Sequence, residues 1–241
     1  KVRDVGLCLS QPYDVIGPEQ LDAYMAQHPH NVVRLTLDKV RPGDDERENR
    51  YTRARATFDA WTASGVLTRT RRPSFWVYEQ QFDLGQGGPR TVKGLIGAVR
   101  LHEYDDGVIL PHEQVMQNVV DDRLRLTTTT GIQFEYIWSL YQDKAYIIDD
   151  VLDQCGRDEP FVDFTEAPTG VRHRLWPLVD QDKCAVISRT MRELKLYIAD
   201  GHHRYQTMLT YRNRMRRANP EAPADAPWEY IMMFLVNSRH E

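Results

Sequence analysis

The chain has 241 residues, 41% hydrophobic and 27% charged, which is the balance of an ordinary globular protein and enough length for one large domain or two small ones. A formal net charge of −4 argues against a general nucleic-acid binder, and no run approaches the length of a membrane span, so neither nucleic acid nor membrane is expected as a partner. Cys8, Cys155 and Cys184 are odd in number and lack C-x-x-C spacing, which fits a reducing, cytoplasmic compartment rather than a disulfide frame or a zinc knuckle. No signal peptide is visible, the chain starts at Lys1, and it stops soon after an apolar run at 230–236; both ends are expected to continue in the natural protein.

In chain order, Gly17-Pro18 starts a helix that runs to about Gln27, and Asn31 to Leu37 alternates well enough for a strand. A helix is predicted over about 45–63, burying Tyr51, Ala54, Phe58 and Trp61 and ending at Gly65. Segments 74–82 and 92–101 read as a hairpin joined by a flexible loop, Gly85 to Pro89. That loop is not a phosphate loop: no Lys-Ser or Lys-Thr follows, and a strand comes next. Val108 to Leu110 is a short apolar run ending at Pro111-His112-Glu113. Beyond it come a helix at 121–129, a strand at 135–141, a helix at 145–152, a strand at 171–179 and a helix at 181–192. A proline- and alanine-rich loop, 220–227, precedes the last strand. Strands and helices mix without strict alternation, so the fold class is α/β or α+β with a mixed sheet.

The most informative stretch is Leu196 to Tyr205. Leu196 to Ala199 reads as a buried strand. After Gly201 the period becomes helical, with Tyr205, Met208, Leu209 and Met215 on one side. A strand therefore turns at Asp200-Gly201 straight into a helix. The first N–H groups of a helix have no partner within it, and with the helix dipole they attract anions, phosphate above all. His202, His203 and Arg204 add donors and positive charge. Asp200 makes sense there as a ligand for a divalent cation or as a helix cap. His112-Glu113 fails as a metalloprotease motif, because Met116 stands where the second histidine would be. A carboxylate just after a buried strand, beside a histidine, is instead a candidate general base.

The pair Pro111-His112-Glu113-Gln114 and Asp200-Gly201-His202-His203-Arg204 resembles the paired motifs of the archaeal free-serine kinase family, which has a ParB/sulfiredoxin-like fold. Pro12 to Ile16, Leu110 to Glu113, Asp122 to Leu124, His173 to Trp176 and Ala199 to Tyr205 also resemble the signature of a large bacterial and archaeal family known only as a domain of unknown function. The kinase resemblance implies phosphorylation of free L-serine by ATP or ADP with magnesium, and a core at 92–241 within a single catalytic domain. It also implies a large insertion between the two motifs. It makes Glu113 the base, with Asp200 and His202 catalytic and Asp200 the magnesium ligand. Gly201, His202, His203 and Arg204 would hold the phosphates, and Glu113 would share one cleft with that turn. Arg123 or Arg125 would be a second phosphate clamp or a solvated helix charge. Asp14 would line the site or start a turn; His112 would lie on the substrate side; His173 would line the site or be a packed histidine. The competing reading is a ParB-like nucleotide switch without kinase activity. A sulfiredoxin-like transfer would want a reactive cysteine beside the turn, and none is near Asp200 in sequence.

Overall fold

The computed structural model describes residues 5–85, 87–167 and 169–238. The chain divides into two compact units, one formed by 1–70 and 121–135 and the other by 71–120 and 136–241.

The first unit is helical. Helix α1 (Pro18–Gln27) has its proline at the first turn, where the missing N–H costs nothing. Helix α3 (Arg50–Ala63) starts later than the periodicity predicts. Asn49 caps it by accepting from the Tyr51 and Thr52 N–H groups, and the Asn49 N–H in turn donates to the Thr52 hydroxyl oxygen. The preceding Asp45 holds a separate turn by accepting from the Arg47 and Glu48 N–H groups, both at 2.7 Å. Of the four expected core residues on α3, Ala54 and Trp61 are buried. Most of helix α4 (Gln117–Thr130) belongs to this unit as well.

The expected strand at 31–37 is wrong: Val33–Thr36 is a short helix, α2. The reason is Asn31, which is fully buried. Its amide donates to the Leu7 and Leu9 carbonyls at 2.9 and 2.8 Å, and its oxygen accepts from the Val33 N–H at 3.0 Å. A side chain that satisfies the backbone locally competes with ladder pairing, and alternation of apolar residues cannot register it.

The second unit contains a mixed eight-stranded sheet in the order β3-β7-β4-β8-β2-β1-β6-β5. The strands are β1 (Phe75–Asp83), β2 (Pro89–Arg100), β3 (Ile109–Leu110), β4 (Ile137–Tyr141), β5 (Val162–Thr165), β6 (Arg172–Leu178), β7 (Leu196–Asp200) and β8 (Tyr230–Asn237). The predicted β1–β2 hairpin forms, with Val77 opposite Leu95. A core beginning at residue 92 would omit β1, which is hydrogen-bonded to both β2 and β6 in this sheet. Strand β5 escaped the sequence reading. It is four residues long and pairs only with β6 at the end of the sheet, so it carries little apolar signal. One face, carrying Val77, Leu95, Ile137, Ile198, Met233 and Leu235, packs on α5 (Ile147–Cys155), α6 (Gln181–Met191) and α7 (His202–Ala218). The other face is rich in rings, with Phe234 in contact with Tyr78, Tyr136 and Trp138.

Replacing Asn31 with leucine would leave the buried Val33 N–H without its acceptor and take the amide donor from the Leu7 and Leu9 carbonyls, which lie nearer the surface. An unsatisfied buried group costs about 1–3 kcal/mol, so Asn31→Leu should destabilise the first unit by about that much, read as a lower urea midpoint at unchanged slope.

Candidate functional site

Strands β3 and β7 are parallel neighbours, with Ile109 opposite Leu196 and Leu110 opposite Tyr197. Parallel strands release the chain at the same end. The residues following β3 and those following β7 therefore meet, although 90 positions separate His112 from His202. The carboxyl ends of strands are where open α/β sheets place their ligand sites.

Two hydrogen bonds and one carboxylate–imidazole contact hold the two segments together. The His112 N–H donates to His202 Nε2 at 3.3 Å. Glu113 Oε2 lies 3.4 Å from His202 Nδ1. The Met116 N–H donates to His203 Nε2 at 3.0 Å. Because Nε2 of His202 accepts, its proton belongs on Nδ1, facing the carboxylate; the partners assign the tautomer. His202 is 2% exposed, and burial above all holds its pKa below the ordinary value, with His112 adding to the effect and Glu113 opposing it. A neutral imidazole is thus clamped between a backbone donor and a half-exposed carboxylate. The His112 ring meets it edge-on, with centroids 4.5 Å apart.

Gly201 takes φ +98°, the left-handed region open to glycine, and turns β7 into α7. A Cβ there would stand 3.0–3.1 Å from the Arg204 guanidinium. No described side chain caps the helix, so its first N–H groups carry the positive end of the dipole without a side-chain acceptor. Arg204 lies across the turn. It donates to the Asp200 carboxylate and to the Tyr136 carbonyl, so its guanidinium is committed in this state.

His112, Glu113 and His202 also present ligand atoms within 4.8 Å of one another. Two imidazoles and a carboxylate suit zinc or manganese better than magnesium. Coordination by His202 Nδ1 would require its proton to move to Nε2 and the bond from His112 N–H to break. Asp200, whose side chain is 57% exposed, offers the single carboxylate that magnesium needs when nucleotide phosphates and water supply the rest.

The structure thus gathers Glu113, His112, Asp200, Gly201, His202, His203 and Arg204 at one strand end. His173 occupies a different position in the same unit. Its Nδ1 lies 2.8 Å from the Tyr78 hydroxyl, its Nε2 lies 3.8 Å from Glu166, and it stacks between Tyr78 and Phe164. Arg123 and Asp14 belong to the first unit. Arg123 is 5% exposed, donates to the Thr36 carbonyl at 2.7 Å and to Asp122, and lies over the Tyr13 ring. Asp122 in turn receives the Tyr51 hydroxyl and Arg50, so this arginine sits in a structural network. Asp14 is exposed in a turn, and Arg125 is exposed on α4. The backbone groups at Met116 and Tyr136 that orient His203 and Arg204 could not be foreseen, since any residue supplies them.

A mixed α/β sheet with an uncapped strand-to-helix turn beside a carboxylate–imidazole pair is the class of protein that fold and geometry define. The chain belongs to the DUF1015 family, described as proteins of unknown function, which it matches over residues 2–241. No curated protein and no solved structure matches it. Among the described residues, no helix is long and apolar enough to cross a membrane.

Two predictions follow from this geometry. Gly201→Ala should cost about 1–3 kcal/mol for a side chain at positive φ and should displace Arg204, which a lowered melting temperature and a crystal structure of the variant would register. The second concerns His173, whose pKa lies below the ordinary 6.5, chiefly through burial. Its contribution to stability is complete above that value and falls as pH drops through it. The melting temperature should therefore decline as pH falls below about 6.5, and His173→Gln should shallow that decline.

Proposed function

We propose that the protein is a small-molecule kinase that moves a phosphoryl group from ATP or ADP to the hydroxyl of free L-serine. The observation that carries this reading is the meeting of the Glu113 carboxylate with His202 at the open N-terminus of α7. Phosphoryl transfer asks a protein for position and charge neutralisation more than for covalent chemistry. The parts needed are a base at the acceptor, donors for the phosphates and a cation for the developing charge.

Glu113 accepts the serine hydroxyl proton as the oxygen attacks the terminal phosphorus and the bridging P–O bond breaks, releasing the nucleotide one phosphate shorter. The Nδ1–H of neutral His202 orients that carboxylate. His112 stands on the acceptor side of the pair. The Gly201 turn and the first N–H groups of α7, with His203 and Arg204, receive the phosphates. The Asp200–Arg204 pair supplies both charges in a mutually neutralised form. Arg204 would turn to a bound phosphate, and Asp200, freed from it, would be the residue to hold magnesium. Binding of donor and metal is therefore coupled: each frees the group the other needs. Magnesium neutralises phosphate charge when it is bound.

Incubation with ATP or ADP, magnesium and an amino-acid panel should yield O-phosphoserine. Glu113→Gln keeps the shape and removes the base, a loss that typically costs about 10²–10⁴ in rate. Its kcat should collapse while the nucleotide Kd stays within a few-fold. Asp200→Asn should weaken activity and metal-dependent nucleotide binding together. A Glu113→Gln protein with the wild-type rate would remove the base from the mechanism, whereas nucleotide binding without phosphorylation of any amino acid would favour a ParB-like nucleotide switch.

A further inference from the structure

The second unit contains a cavity of about 530 Å³, within the range of small-molecule pockets. We propose that it is a separate binding site for a small monocarboxylate with an apolar aliphatic or aromatic body. Phe75, Val99, Ile109, Ile187 and Met191 are among its walls. Gly97 makes room for one of them: a Cβ there would come within 2.7 Å of the Phe75 ring, so the glycine lets Phe75 lie close against the sheet.

The polar lining decides the class of ligand. Ser188 and Arg192 line the cavity from the last turn of α6 and its end, at the i, i+4 spacing that puts both on one face. Neither side chain makes a hydrogen bond or ion pair among the described residues. A serine inside a helix normally bonds back to the preceding turn, as Thr190 does here to the Val186 carbonyl at 3.0 Å. The other polar lining groups are engaged. Arg100 donates to the Ala224 carbonyl at 2.9 Å and to the Tyr230 hydroxyl at 3.3 Å. His102 faces Asp106 at 3.4 Å. One planar guanidinium and one hydroxyl at the rim of an apolar cavity match one carboxylate on an apolar body.

The cavity is not the acceptor pocket of the proposed kinase. Its lining includes Leu196, where β7 begins, whereas Asp200 ends that strand. Four residues of strand separate them by about 13 Å at ~3.3 Å per residue. The inference therefore stands apart from the kinase reading, and its test reads binding alone.

The probes are decanoate, below its micelle concentration, and decanol, its neutral counterpart. Isothermal calorimetry should show saturable decanoate binding. Decanol should bind about ten- to a hundredfold more weakly, the difference a hydrogen bond to a charged group makes. Arg192→Gln, at an exposed and unpartnered position, should bring decanoate to the level of decanol and leave decanol unchanged. Ser188→Leu should weaken both by filling the mouth. Amide shifts on decanoate binding should cluster at 187–196. Decanoate affinity equal in wild type and Arg192→Gln, shifts elsewhere, or no saturable binding of either probe would overturn the proposal.

Discussion

The candidate site depends on two residues of parallel pairing, Ile109 with Leu196 and Leu110 with Tyr197. The Leu196 N–H to Val108 carbonyl bond, at 2.9 Å, extends that ladder by one step. A slip of one position would turn each side chain to the opposite face and carry Glu113 away from His202. Burial resists the slip. Ile109 is wholly buried, and Leu196 and Ile198 are 5% and 1% exposed, so moving them would bring apolar area into water. A short strand can hold register when all its inward residues are committed to a core.

Helix α7 is the second fixed element. Tyr205 donates its hydroxyl to the His102 carbonyl at 2.7 Å and receives the His102 N–H at 3.0 Å. Arg212, 2% exposed, reaches the Leu101 carbonyl at 2.8 Å and Glu103. His202, Tyr205, Leu209 and Arg212 recur at helical spacing, so one stripe contains a site residue, two core residues and an anchoring cation. Burying a guanidinium is costly unless its donors are satisfied, and here a carbonyl and a carboxylate satisfy them. The helix start is therefore held against the strand ends by contacts about one and three turns away.

The arginines divide by partner rather than by sequence context. Arg123 and Arg212 neighbour other polar residues in helices, yet both are buried in hydrogen-bond networks. Arg204 balances Asp200 across a glycine turn, which keeps two opposite charges together at an open helix start. Arg192, at the end of α6, has no such partner among the described residues.

The sequence by itself determined the α/β class with a mixed sheet, the β1–β2 hairpin, α6, and the passage from β7 through Gly201 into α7. Those features are local: apolar periodicity, a glycine where positive φ is required, and turn residues at strand ends all act within a few positions. It also singled out the residues that converge, Glu113 and the Asp200 to Arg204 turn. Only the tertiary structure decided that a histidine pair from one segment receives two backbone donors from the other, because backbone groups carry no side-chain signature. It also decided that Asn31 folds its surroundings into a helix, that Arg123 is spent on Asp122 and the Thr36 carbonyl, and that His173 bonds to Tyr78. In each case at least one partner is distant or a backbone atom. Pairing over such separations is set by sheet order and burial, which no window of sequence contains.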